Sequence, residues 1–293
     1  MVEMSTGKGA GDENFPVGSW LIAAPLRPHV AVFYAFARAA DDLADHPALS
    51  PTVKLARLGA FEAALAGGRD DPAAAGPAVR MRASLEATGV DPRHCRDLLS
   101  AFRQDAVKRR YADWGELMGY CARSASPVGR YLLDLHGESR ELYAVADPLC
   151  DALQVLNHLQ DCAEDHRRLD RIYLPGDWLA AAGVPAHALA ADRSSPALRA
   201  VLDRCLDRTA MLLETARELP RRLRSARLAL ESAVILSLAE RLALALRRGD
   251  PLARRVELKK PGFALAASRG LISGAAGRVW PRAARSAAPG CSA

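Results

Sequence analysis

The chain has 293 residues, half of them hydrophobic and a quarter charged; this supports a sizeable core and excludes both wholesale disorder and a bundle of membrane spans. With 40 basic and 34 acidic residues the net charge is +6, yet residues 247–293 hold ten basic side chains against Asp250 and Glu257, leaving −2 for the first 246. The basic excess belongs to the tail, and with no recognition motif for DNA or RNA beside it, nucleic acid is not expected as a partner. Ala and Leu dominate while Ile occurs four times and Thr five, so the β-branched residues that fill pleated sheets are scarce and an all-α protein is expected. Six cysteines scattered singly, with no C-x-x-C pair, read as reduced thiols in a cytoplasmic protein. The first fifteen residues lack the apolar run of a secretory signal.

Taken along the chain, residues 1–12 are small, polar and Gly-rich and are expected to be mobile. Apolar residues then recur at helical spacing from Pro28 to Asp45 (Val30, Phe33, Tyr34, Ala37). A second helix is predicted over about 53–66, stopped by Gly67-Gly68 and followed by a Pro/Ala/Gly loop. Further helices are expected at about 78–88, 92–109, 114–136 and 141–169, then a short helical piece within 177–191, then 196–219 and 224–248. No segment alternates as a strand and no repeat is evident. The expected organisation is a mobile stretch at 1–12, one helical domain at 13–250 and a basic tail at 251–293 that is partly disordered or lies on a membrane surface.

Two acidic patterns interrupt the Ala/Leu background. In Asp41-Asp42-Leu43-Ala44-Asp45, side chains four apart share one helix face, so Asp41 and Asp45 point together and Asp42 sits about 100° round from Asp41. In VLNHLQDCAEDHRRLDRIYLP, Asn157, Asp161 and Asp165 form a ladder at i, i+4 and i+8 bordered by Val155, Leu156 and Leu159. Either pattern alone fits a solvated helix face. Together they suit hard cations, because Mg²⁺ prefers oxygen ligands and shares its shell with waters and substrate phosphates. His158 and Cys162 lie at i, i+4 but are too few for a tetrahedral zinc site, and His158 reads as a packed histidine facing away from the ladder.

The ordered segments NFPVGS, FYAFARAADDLAD, YADWGELMGYCARSASPVGR and NHLQDCAEDHRRLDRIYLP resemble the squalene and phytoene synthases, which join isoprenoid chains head to head. The resemblance runs from about Asn14 to Arg247 and is greatest to the bacterial hydroxysqualene synthases of hopanoid biosynthesis. It implies a single-domain isoprenoid synthase fold, helical with a central active-site cavity, and conversion of presqualene diphosphate and water into hydroxysqualene and diphosphate with Mg²⁺ as cofactor. Asp41 and Asp45 match the first aspartate motif, and Asn157, Asp161 and Asp165 the second. Tyr34 and Arg38 match the aromatic and basic positions before the first motif, Tyr120 the tyrosine opening the central helix motif, and Arg171 with Tyr173 the segment after the second. Asp105 matches a further acidic position. After Tyr120 the chain reads YCARSASPVGR, where condensing members commonly read like YCYGVAGTVG, a departure that fits the sister activity.

The implied roles follow from residue chemistry. Arg38 and Arg171 would help neutralise the leaving diphosphate, and faces of Phe33, Tyr34, Phe36, Tyr120 or Tyr173 would stabilise a carbocation. Ser124, Ser126 or Asn157 would hold the water that quenches it. The rivals are condensation of two prenyl diphosphates on the same fold, reductive squalene synthesis with NADPH, and a non-catalytic helical scaffold docked on membranes by its tail. The tail mixes Phe263, Leu265, Leu271, Ile272 and Trp280 with arginines, a composition suited to an anionic lipid surface.

Overall fold

The computed structural model describes residues 21–68 and 72–258 together with Ser268 and Gly270. The NFPVGS segment, the stretch at 1–12 and most of the basic tail lie outside these residues. The described chain is almost wholly helical: α1 (Arg27–Asp45), α2 (Pro51–Leu65), α3 (Pro72–Thr88), α4 (Arg93–Asp105), α5 (Trp114–Ser124), α6 (Ser126–Leu135), α7 (Tyr143–Leu169), α8 (Gly176–Ala181), α9 (Pro196–Ala216), α10 (Leu219–Arg222) and α11 (Ala226–Arg248). Short 3₁₀ turns precede α1 and α7 and follow α8. The helix starts are chemically marked: Ser50, Asp113, Ser195 and Ser225 each accept a first-turn N–H of α2, α5, α9 and α11.

Three expectations are corrected. The predicted 114–136 helix is two helices, because Pro127 has no N–H to return to the preceding turn and the chain breaks at Ala125. The Pro/Ala/Gly stretch expected as a loop is helical from Pro72, where proline occupies the first position and an Ala run follows. The third concerns strands. Arg110–Tyr111 (β1) and Ile172–Pro175 (β2) pair in parallel across an irregular register. With only two residues in β1, there is no alternation to read.

The buried side chains form two clusters. One is built on α1 to α4 with Tyr131, including Phe33, Phe36, Leu58, Met81 and Leu98. The other gathers around α7, α9 and α11, with Val155, Leu156, Leu202 and Leu242. A cavity of about 250 Å³ lies at their seam, lined by Val30 and Phe33 from the first and by Leu133, Leu149 and Leu228 from the second. Gly129 permits the close crossing of α6 on α7: a Cβ there would fall 2.6 Å from Cys150 Sγ, and both residues line the cavity.

Residues 251–258, on the tail side of the expected boundary at 250, pack on the body. Val256 is buried, its carbonyl accepts Gln160 Nε2 at 2.6 Å, and Leu252 and Leu258 lie against the α7/α9/α11 cluster. Farther on, helical Gly270 abuts α11 so closely that a Cβ would stand 2.5 Å from Val234 Cα. Cys95, Cys121, Cys150, Cys162 and Cys205 are free thiols. No helix among the described residues is long and apolar enough to cross a membrane.

Candidate active site

Two helices carry the site, and each changes character along one stripe. On α1 the stripe runs Val30, Tyr34, Ala37, Asp41, Asp45 at helical spacing; its first three residues line the cavity and its last two are the first acidic motif. The opposite side of α1 is filled by Phe36, Ala40 and Leu43, which fix the helix against its neighbours. On α7 the stripe runs Ala146, Cys150, Leu153, Asn157, Asp161, Asp165; again the first three line the cavity and the rest form the acidic ladder. In both helices the cavity-lining residues precede the acidic ones along the same stripe.

At the acidic end of α1, Arg38 donates to Asp42 at 2.8 Å and lies 3.5 Å from Asp41. Burial, then the neighbouring Asp45, push the Asp41 carboxyl well above the usual carboxylate range, against the pull of Arg38. Its side chain keeps 39% exposure. Such a carboxyl cluster is short of positive charge, the condition a hard cation relieves.

Arg171 ties the first motif to the body. Asp170 ends α7 in a left-handed conformation (φ 50°), which turns the next residue inward. Arg171 then donates to Asp45 at 2.6 Å and to the Asp105 carbonyl at 2.8 Å. Burial opposes its charge, but Asp45, Tyr173 and Asp105 together outweigh it, so the guanidinium is held charged. Tyr120 OH donates to Asp105 Oδ2 at 2.7 Å, and the rings of Tyr111, Tyr120 and Tyr173 cluster with centroids 5.4–5.7 Å apart. His158 stacks on Tyr173 at 3.5 Å and, pushed down to about 3 chiefly by burial, stays neutral, as a packed histidine would.

The sequence-predicted residues thus form two groups. Phe33 and Tyr34 line the cavity, while Tyr120, Tyr173, Arg171, Asp45 and Asp105 form a network of their own, buried except at Asp45; Arg38, Asp41, Asp161 and Asp165 do not line the cavity. Phe36 is fully buried against Phe61 and faces neither. Ser126 Oγ donates to Asp151 at 2.8 Å, and none of Ser124, Ser126 and Asn157 lines the cavity.

Four polar residues escaped the sequence reading. Lys54 lies on the inward α2 stripe with Leu58, Phe61 and Leu65, and donates to the Ala44 carbonyl at 2.7 Å near the end of α1. A lysine on an apolar stripe was the available signal. Arg255, in the tail, donates to Asp161 at 2.8 Å, a pairing across 94 residues that no local pattern announces. Glu231 and Ser232 of α11 line the cavity.

Asp105 yields a pH prediction. Burial outweighs Arg171 and Tyr120 and raises its carboxyl to about 7, against ~3.9 unfolded. Between those values the folded state holds a proton the unfolded chain does not, so stability falls as pH rises through the window and levels off above it. Asp105→Asn should therefore gain stability relative to wild type between pH 5 and pH 8, by up to a few kcal/mol (~1.4 per unit). Thermal melts at both pH values check this; parallel pH dependence of the two proteins would contradict it.

An all-α fold with an apolar seam cavity, and an acidic motif farther along each of two helices that line it, is the architecture expected of a helical isoprenoid synthase. The squalene/phytoene synthase family profile matches residues 9–261. The chain is 46% identical over 265 residues to a hydroxysqualene synthase of Rhodopseudomonas palustris, covering 90% of this chain and 89% of that one. It is 43% identical to one from Zymomonas mobilis, covering 91% of each. Among solved structures, a squalene synthase from Alicyclobacillus acidocaldarius superposes with a TM-score of 0.68 at 31% identity, covering 79% of this chain and 87% of that one. A dehydrosqualene synthase superposes at 0.74 over 90% and 92% of the two chains, and its 20% identity speaks for the fold alone. The chain belongs to the squalene/phytoene synthase family and is an enzyme of isoprenoid synthesis, which sets aside the scaffold reading.

Proposed function

We propose that the enzyme converts presqualene diphosphate and water into hydroxysqualene and diphosphate with Mg²⁺. The observation that carries this is the match to hydroxysqualene synthases over about nine-tenths of both chains at 41–46% identity, against 30–33% and shorter spans for phytoene synthases. The cavity supports it independently: its apolar lining suits a long hydrocarbon, and the acidic motifs farther along α1 and α7 would suit a charged headgroup together with a divalent cation.

The donor set suits Mg²⁺. Asp41 and Asp45 on α1 and Asn157, Asp161 and Asp165 on α7 offer only oxygens; no three acidic, His or Cys groups converge into a cage among the described residues, and Mg²⁺ requires only one or two carboxylates beside substrate phosphate. When bound, Mg²⁺ would neutralise charge on the departing diphosphate. Arg38 and Arg171 add fixed positive charge at the same end. Phe33 and Tyr34 line the cavity, where aromatic rings would stabilise a carbocation. Tyr120 and Tyr173, raised well above the tyrosine range mainly by burial and then by Asp105, remain protonated and hold the wall beside it. The apolar lining excludes bulk water, so one held water determines the product.

In ¹⁸O-labelled water, with presqualene diphosphate, Mg²⁺ and no nicotinamide cofactor, the product alcohol should carry the label. Mass spectrometry of the product decides. An unlabelled alcohol, hydrocarbon alone, or efficient consumption of farnesyl diphosphate would overturn this reading, the last in favour of condensation.

The basic tail is proposed to contact anionic membrane, which suits a C30 lipid substrate and product. Replacing Arg278, Arg282 and Arg285 by Gln should weaken binding to anionic liposomes severalfold at low salt, and ~1 M salt should remove most of the difference. Equal sedimentation of both proteins with the liposomes would exclude the tail as the anchor.

A further inference from the structure

Beyond α11 the chain stays on the body as a strap over residues 249–258. Arg199 on α9 donates to the Leu246 and Gly249 carbonyls at 3.1 and 2.9 Å, and the Asp250 carboxylate accepts Ser194 N and Oγ at 2.9 and 2.7 Å. Pro251 and Val256 are buried, and Leu252 and Leu258 pack on the α7/α9/α11 cluster. The strap meets α7 at the turn that carries the second acidic motif. Gln160 Nε2 donates to the Val256 carbonyl at 2.6 Å, and Arg255 donates to Asp161 through Nε at 2.8 Å and Nη2 at 3.4 Å. Two adjacent strap residues therefore engage two adjacent residues of α7, which fixes their register. The guanidinium lies across both Asp161 oxygens, the forked arrangement that recognises a carboxylate. The two side chains are 39% and 18% exposed, so solvent and small ions reach the pair and its net strength is modest.

We infer that the strap is a latch on the second acidic motif: Arg255 competes with a divalent cation for Asp161, and loading of the cation releases the guanidinium. The inference rests on the proposed place of Asp161 among the Mg²⁺ ligands and adds a regulation of that site. Each carboxylate oxygen keeps a second lone pair, but a divalent cation taken up there would stand beside the guanidinium, and like charges that close repel. The fork and the cation are therefore alternatives. Their linkage is reciprocal: whatever weakens the strap's hold on Asp161 strengthens cation binding, and the cation in turn weakens that hold. The partial exposure of the pair keeps the latch weak enough to open, while the Asp250 and Val256 contacts keep the strap in place for it to close again.

The test titrates Mn²⁺, followed by electron paramagnetic resonance, into full-length wild type, Arg255→Gln, Arg255→Lys and Asp161→Asn without substrate. Arg255→Gln should bind Mn²⁺ about fivefold more tightly than wild type, equivalent to ~1 kcal/mol, the upper end for an exposed ion pair. Arg255→Lys keeps the charge but loses the fork, and should fall between the two. Because loss of a positive charge tightens cation binding through the field alone, the strap itself is also followed. Hydrogen exchange of the peptide spanning 251–258 should become at least about twofold faster when Mg²⁺ is added to wild type, and Mg²⁺ should leave it unchanged in Asp161→Asn. Equal or weaker Mn²⁺ binding by Arg255→Gln would overturn the latch, as would wild-type strap exchange that is indifferent to Mg²⁺. If Asp161→Asn binds Mn²⁺ as tightly as wild type, Asp161 is no ligand of the cation, and the site reading fails together with the latch.

Discussion

Asp161→Asn should lower turnover of presqualene diphosphate at least ~1,000-fold, a loss of about 4 kcal/mol of transition-state stabilisation, while the melting temperature stays within about 3 °C of wild type. The substitution keeps the volume and removes the charge, which is what a hard cation requires of a ligand. Its structural cost is small: the Asp161 contact to Arg255 is partly exposed on both sides, at 18% and 39%, and exposed pairs contribute about 0–1 kcal/mol. Activity and stability should therefore separate. Steady-state kinetics beside thermal melts check this, and activity within about threefold of wild type would remove Asp161 from the diphosphate site.

Arg171→Met should behave in the opposite manner and damage both. Arg171 is 4% exposed, and its partner Asp45 is 29% exposed. Removing the guanidinium leaves a half-buried carboxylate without its cation and the Asp105 carbonyl without its donor. Breaking buried pairs typically costs 3–5 kcal/mol; with Asp45 partly solvated the lower end applies, about 3 kcal/mol, or roughly 6–10 °C for a chain of this size. Asp45→Asn added to Arg171→Met should recover part of that loss by removing the orphaned charge, a coupling that a double-mutant cycle measures. Activity should remain low in the double variant, because Asp45 belongs to the first acidic motif. A melting temperature within 2 °C of wild type for Arg171→Met would show that the pair contributes nothing to the fold.

The two substitutions also mark which parts of this protein its sequence made readable. Helical periodicity placed α1, α2 and α7 to within about two residues, because each keeps an apolar stripe, and α1 and α2 also end at the local stops His46-Pro47 and Gly67-Gly68. The acidic ladders were legible for the same reason, since residues three and four apart on one helix must share a face whatever surrounds them. Side chains that act across the fold had no such signature. That Asp45 meets Arg171 across 126 residues, that Arg255 reaches back to Asp161, and that Tyr120 donates to Asp105 all depend on how the helices pack. The split of 114–136 turned on a single proline, and the β1/β2 pair is too short to carry a period.

Sequence alone therefore determined the helical class, the two motif-bearing helices and the chemistry their oxygens offer, because these are properties of one helix at a time. Only the tertiary structure decided which end of each helix meets the cavity and which aromatic rings line it. It also put Glu231 and Ser232 in that wall, because burial against a cavity is created by neighbours from elsewhere in the chain.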